Sequence, residues 1–233
     1  MLKLIVAVCL CTVLGAEPLP NTLTVQELAE GWQLLFDGQT LNGWRGIKRV
    51  DAPACWRVID GALVVNAKGK INIDRGDLIT ERTFGDFELA FEWRMDDRGG
   101  NSGVKYYVLE ELSSVLGGIG LEYQIQDDAG AGNPQPYHRV AALYELYPAE
   151  GAVAGPLGEW NHSRIVSRQK HVEHWLNGVK VLEYERGGND FRLRVIKSKF
   201  SRVPQFGEAE AGHILLQQHG STVAFRSIKV RPL

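Results

Sequence analysis

Cysteine is nearly absent from this chain. Three occur in 233 residues, and Cys9 and Cys11 both lie close to the start. Cys55 is the third, and it has no partner for an internal bridge if the first residues are removed. A fold without disulfides must be held by its core. Cys55 stands beside Trp56 with no activating group near it in sequence, which reads as an inert buried thiol. Basic clusters are missing too. Without Lys3 the chain has 25 Lys and Arg against 28 Asp and Glu, so nucleic acid is not an expected partner. No apolar run reaches the ~20 residues needed to span a bilayer. Nucleophile elbow, phosphate loop and dinucleotide fingerprint are all lacking. Gly117-Gly118-Ile119-Gly120 leads into a strand rather than a helix, so it makes a poor phosphate site.

The first residues have a specific layout. Lys3 gives a basic start, Leu4 to Leu14 is almost wholly apolar, and Gly15-Ala16 precedes Glu17 and the prolines Pro18 and Pro20. This is the pattern of a secretory signal peptide cleaved after Ala16. An exported protein, periplasmic or extracellular, is expected, with residues 17–233 forming one domain.

Glycine is abundant at 26 residues, and turns account for it. Asn177-Gly178 divides HVEHWL from VKVLEY, and Asp60-Gly61 divides CWRVI from ALVV. Both are hairpin signals. His219-Gly220, between HILLQ and TVAFRSIKV, reads as a third. Longer runs alternate. Phe87, Leu89, Phe91 and Trp93 share one face, and Glu88, Ala90, Glu92 and Arg94 share the other. Leu121, Tyr123 and Ile125 oppose Glu122, Gln124 and Gln126. Period-two patterning puts one face in a core. Roughly a dozen such runs predict an all-β, antiparallel two-sheet jelly-roll sandwich, larger than an immunoglobulin domain. One helix is expected, capped by Thr24 and Glu27 and ended at Gly31. Two glycine-rich stretches, 96–103 and 127–138, read as loops that can carry function.

Glu122, Gln124, Gln126 and Asp128 would line one side of a strand and its extension. Acids and amides in a row match sugar hydroxyls. An ordinary glycosidase needs two carboxyls about 5 Å or about 6.5–9.5 Å apart. Gln124 and Gln126 stand where a second acid would be, so the usual pair is not on this strand; a second acid would have to come from elsewhere, with Glu92 and Glu145 as candidates. The six histidines follow the apolar start. His titrates near neutrality and can serve as a base. His171 and His174 have opposite parity and cannot form a simple paired ligand site. Of six tryptophans, Trp160 lies outside any clear apolar alternation and is the candidate for stacking on a sugar.

The segments GWQLLFDGQTLNGWRG (31–46), GDFELAFEWR (85–94), GNSGVKYYV (100–108), GLEYQIQDD (120–128), ALYELYP (142–148), EWNHSRIV (159–166), VEHWLNGVKVLEYE (172–185) and HILLQQHGSTVAFRSIKV (213–230) form an ordered set. In that set the chain resembles the 3-keto-disaccharide hydrolase family. The resemblance implies a concanavalin A-like jelly roll and a role in carbohydrate breakdown, on sugars first oxidised at C3 by a separate dehydrogenase. A C3 ketone acidifies the C2 proton. A base removes it, the enolate expels the C1 substituent, and water adds. By matching motif, Glu122 and Gln124 come from EYQ, Asn101 and Lys105 from NSGVKY, and His174 from EHWLNG, with Arg94, Asp127, Tyr144 and Gln217 as additions. Gln126, from the polar strand face, and His138, outside the matched segments, are further candidates for substrate binding. The roles implied are His174 or Glu122 as base, Lys105 or Arg94 polarising the ketone, and Asn101 and Gln124 holding hydroxyls. No cofactor is specified; a divalent cation is one candidate for the enolate stabiliser, with its ligands unknown. The alternative is a non-catalytic, lectin-like sugar-binding module.

Overall fold

The computed structural model describes residues 19–66 and 74–233. The export signal expected in residues 1–16 lies outside that range. Thirteen strands form among the described residues: β1 (Gln33–Leu34), β2 (Trp44–Gly46), β3 (Trp56–Ile59), β4 (Ala62–Val65), β5 (Leu78–Phe84), β6 (Phe87–Met95), β7 (Asn101–Leu109), β8 (Ile119–Gln126), β9 (Asn161–Arg168), β10 (His171–Leu176), β11 (Val179–Glu185), β12 (Gly212–Leu216) and β13 (Val223–Pro232). They make two antiparallel sheets. The larger runs β11-β10-β9-β6-β13-β4-β3, with β1 added against β13. The smaller runs β2-β5-β12-β7-β8. This is the expected all-β sandwich.

The alternation in β6 holds. Phe87, Leu89, Phe91, Trp93 and Met95 are buried between the sheets. From the smaller sheet, Val104, Tyr106, Leu121, Tyr123 and Ile125 meet the same core. Truncating such a side chain to Ala costs about 2–5 kcal/mol. Cys55 is buried as expected, and burial raises its thiol pKa.

Two of the three expected hairpins form. Asn177 and Gly178 both take positive φ (49° and 82°), as do Asp60 and Gly61 (50° and 74°), the geometry a two-residue turn requires. The third does not. β12 pairs with β5 and β7 in the smaller sheet, whereas β13 pairs with β1, β4 and β6 in the larger one. His219-Gly220 is therefore a crossover between sheets. A turn dipeptide reports a reversal, not which sheet each arm joins.

The helix α1 (Val25–Ala29) has the expected Thr24–Glu27 capping box. A second helix, α2 (Asn189–Lys197), was not expected. It has no side-chain cap and buries only Phe191, so it carries neither signal by which helices are read from sequence. The first glycine-rich stretch is shorter than expected, because Asn101, Ser102 and Gly103 already belong to β7.

Candidate active site

The smaller sheet has an outer face as well as a core face. Lys105 on β7 is paired with Glu122 on β8, and Gly103 with Gln124. Lys105 Nζ lies 3.5 Å from Glu122 Oε2 and donates to the Gly118 carbonyl at 3.0 Å. These groups, with Asn101, Gln124, Tyr144, Lys199, Phe200, Gln217 and His219, line a pocket of about 140 Å³.

This face is not solvated. Glu122, Gln124 and Gln126 are all buried. Chain from elsewhere covers them. Ala141 N donates to Gln124 O, Gln124 N to Ala142 O, and Tyr144 N to Glu122 O. That short pairing closes the β8 edge and holds Tyr144 beside Glu122. After α2, the Phe200 ring stacks on Phe206 with centroids 4.0 Å apart. Phe200 thereby anchors Lys199, whose Nζ lies 4.1 Å from the Tyr144 ring centre.

Gln124 Nε2 donates to Asn101 Oδ1 and Gln126 Oε1 (3.2 and 3.3 Å). Its Oε1, and the Oε1 of Gln217, are buried without any hydrogen-bond partner. Two orphaned amide oxygens in pocket residues are the groups that a ligand hydroxyl satisfies, because leaving them unmet costs about 1–3 kcal/mol each. Behind the pocket, Asp77 accepts from Gly118 N and Gln218 N. Burial raises its pKa, against the lowering pull of Lys105. Burial also raises the Tyr144 pKa, with Glu145 and Glu122 adding to it. Lys199 is lowered by desolvation of its ammonium and by Lys105, with Glu122 and Glu145 opposing.

The expected site residues divide. Glu122, Lys105, Asn101, Gln124, Tyr144 and Gln217 come together in the pocket. His138 adjoins it, stacked on Tyr144 at 4.8 Å and 3.1 Å from Glu145 Oε1. Gln126 lies one pair further along, its amide spent on the Gly100 carbonyl. Asp127 clamps the two glycine-rich loops, accepting from Gly99 N and Gly130 N.

Three expectations are corrected. His174 is fully buried in the core. Its Nδ1–H donates to Ala141 O at 2.8 Å, so Nε2 accepts from the Tyr106 hydroxyl at 2.8 Å, which in turn accepts from Tyr184. Burial pushes its pKa down to about 4. It lies on the core side of the smaller sheet, whose other side carries Glu122, and cannot reach a ligand there. Arg94 projects from the outer face of the larger sheet, paired with Asp96 at 2.8 Å. Trp160 lies there with it, its ring met by the guanidinium groups of Arg94 and Arg226. The whole sandwich separates both from Glu122, and cations already occupy the ring that was expected to stack on sugar.

A larger cavity of about 480 Å³ opens beyond the end of β8. Gln126, Asp127 and Asn161 in its wall are already tied to backbone groups, so the unmet polar chemistry is in the smaller pocket. Glu122, Asn101, Gln124 and Gln217 are oxygen donors of the kind hard cations take, but the Lys105 ammonium already supplies positive charge to Glu122. On the far face His171, Glu173 and Glu183 cluster, with Lys180 Nζ 2.5 Å from Glu183.

Sequence reading missed Lys199 and Asp77. Lys199 follows an unrecognised helix, and Asp77 follows residues of no marked pattern.

The pattern of the 3-keto-alpha-glucoside-1,2-lyase-like domain matches residues 31–231. The chain belongs to this family. A 3-keto-disaccharide hydrolase of Bacteroides thetaiotaomicron is 35% identical, over 88% of this chain and 79% of that protein. A crystal structure from Parabacteroides distasonis, named a candidate glycosyl hydrolase, superposes with a TM-score of 0.78 at 29% identity, covering 92% of this chain and 99% of that one. A carbohydrate-binding module, CBM66 of Bacillus subtilis, shares the fold with a TM-score of 0.52 at 9% identity, covering 81% of this chain and 95% of that one. The family's shared pattern thus spans both strands that carry the Lys105–Glu122 pair.

Proposed function

We propose that this enzyme cleaves the glycosidic bond of 3-keto-glycosides by C2 proton abstraction, elimination and hydration. The observation that carries the reading is the pocket's acid count. Glu122 is the one carboxylate among its described lining residues. Ordinary glycoside hydrolysis calls for two. A ketone at C3 removes that need. Glu122 takes the C2 proton, the electron pair forms the C2–C3 enolate, and the enolate expels the C1 oxygen, which takes that proton from the Glu122 carboxyl as it leaves. Water then adds at C1, giving one proton to the Glu122 carboxylate, which delivers it to C2. The net reaction is hydrolysis.

The orphaned oxygens of Gln124 and Gln217 accept from sugar hydroxyls in this scheme, and Tyr144 closes the pocket beside the base. The family, and the relative named for 3-keto-disaccharides, support the same substrate class. The secretory pattern read in residues 1–16 supports export from the cytoplasm. A sugar 3-dehydrogenase supplies its substrate.

Turnover of a 3-keto-glucoside in D₂O tests the route. Elimination and hydration leave one deuterium at C2 of the released sugar, formed faster than non-enzymatic exchange. A product without deuterium at C2 means direct hydrolysis and sinks the mechanism. Release from the unoxidised glucoside at an equal rate sinks the substrate class.

A further inference from the structure

The elimination needs a positive group to take up charge on the ketone oxygen as the enolate forms. Sequence offered Arg94 and Lys105. Arg94 lies on the opposite outer face of the sandwich. Lys105 is engaged twice, at 3.5 Å from Glu122 Oε2 and at 3.0 Å from Gly118 O, and the buried Asp77 carboxyl also faces it. Its charge already serves to hold the base.

One other ammonium lines the pocket. Lys199 has no hydrogen bond or ion pair to any acceptor among the described residues, and its Nζ rests over the rings of Tyr144 and Phe200 at 4.1 and 5.3 Å. Two carboxylates act on it, Glu122 and Glu145. Glu122 is paired with Lys105, and Glu145 lies 3.1 Å from His138 Nε2. Lys199 is thus a cation aimed at the same cavity as the base with no counter-ion of its own. Against the desolvation of its ammonium, Glu122, Glu145 and the Tyr144 ring face favour the charged form, and its three N–H donors are left for a ligand.

We propose that the Lys199 ammonium is the oxyanion donor of this site, binding the C3 oxygen and stabilising the enolate, while Lys105 positions Glu122. The inference rests on the keto-glycoside reading above. The division of labour is specific. A donor that acts on developing charge strengthens in the transition state and so governs kcat, whereas a hydroxyl-binding lysine would govern KM.

The test compares wild type, K199M and K199R on a 3-keto-glucoside. K199M is expected to lose about 10²- to 10³-fold in kcat, the usual effect of removing one such donor, with KM little changed. K199R, which keeps the charge, recovers a large part. Lys199 is exposed, so unchanged thermal midpoints are expected in both. A K199M enzyme with wild-type kcat, or one altered in KM alone, overturns the proposal and leaves the keto-glycoside reading standing. K199R no better than K199M overturns the charge argument. Wild-type enzyme inert on the keto sugar overturns both together.

Discussion

Lys105 and Glu122 oppose one another across β7 and β8, with Nζ 3.5 Å from Oε2. The pair puts a carboxylate in a pocket that would otherwise disfavour its charge. E122Q keeps the shape and removes the base. It is expected to lower kcat by about 10²- to 10⁴-fold while binding of an unreactive sugar analogue persists. Equal loss of binding and turnover would assign Glu122 to substrate holding instead.

Gly103 tests the placement of that carboxylate without altering its chemistry. A Cβ at this position would lie 2.5 Å from Glu122 Oε1 and 2.9 Å from its Cγ. The Glu122 side chain must therefore move in G103A. Displacing a reacting group by about 1 Å can cost about 10²-fold. Kinetics of G103A should show a lowered kcat with a small change in melting temperature. Full activity would mean that the carboxylate position is not critical.

The two orphaned amide oxygens define a binding effect. Q124L and Q217L each remove a buried oxygen that has no protein partner. Each should raise KM for the keto-glycoside by roughly 10-fold, the worth of about one hydrogen bond, and Q217L should leave the free enzyme as stable as before. Gln124 also donates to Asn101 and Gln126, so Q217L is the cleaner variant. An unchanged KM in Q217L would remove that oxygen from the site.

His174 acts on stability through pH. Its folded pKa is pushed down to about 4 by burial, against about 6.5 in the unfolded chain. The unfolded state therefore binds the proton first. The stability this histidine contributes is complete above pH 6.5 and is lost as pH falls from there through 4, on the order of 3 kcal/mol in all. Chemical denaturation of wild type and H174Q between pH 7 and 4 checks this. The wild-type curve should fall more steeply, and H174Q, less stable at pH 7, should keep its turnover while folded. Parallel curves would mean that another group governs acid unfolding.

Arg94 and Trp160 supply the opposite expectation. Both lie on the far face of the larger sheet. W160A and R94A should leave kcat and KM unchanged, measured at a temperature where each variant is folded. A hundredfold loss in either would place a substrate contact on that face.

The strands and their sidedness are legible in the order of residues alone. Apolar alternation at Phe87–Trp93 and at Leu121–Ile125 is a local property, and a period of two leaves one solution for which side chains enter a core. The Asn177-Gly178 and Asp60-Gly61 turns are local as well, because positive φ at both positions closes the reversal without help from elsewhere. The same periodicity put Glu122 and Gln124 side by side. Parity also put His174 on a definite face, but nothing local says whether that face meets solvent or the other sheet.

Long-range packing set the remaining features. Pairing sent β12 and β13 to different sheets. Sheet stacking buried His174 against Tyr106 and set Arg94 on the opposite outside face. Segment 141–144 and the chain after α2 covered the Glu122 face, turning a row of polar residues into a pocket and bringing Lys199 over Tyr144. These are contacts between residues tens of positions apart. Their energies depend on which surfaces are left to bury once the sheets have formed, and no local pattern of residues encodes that.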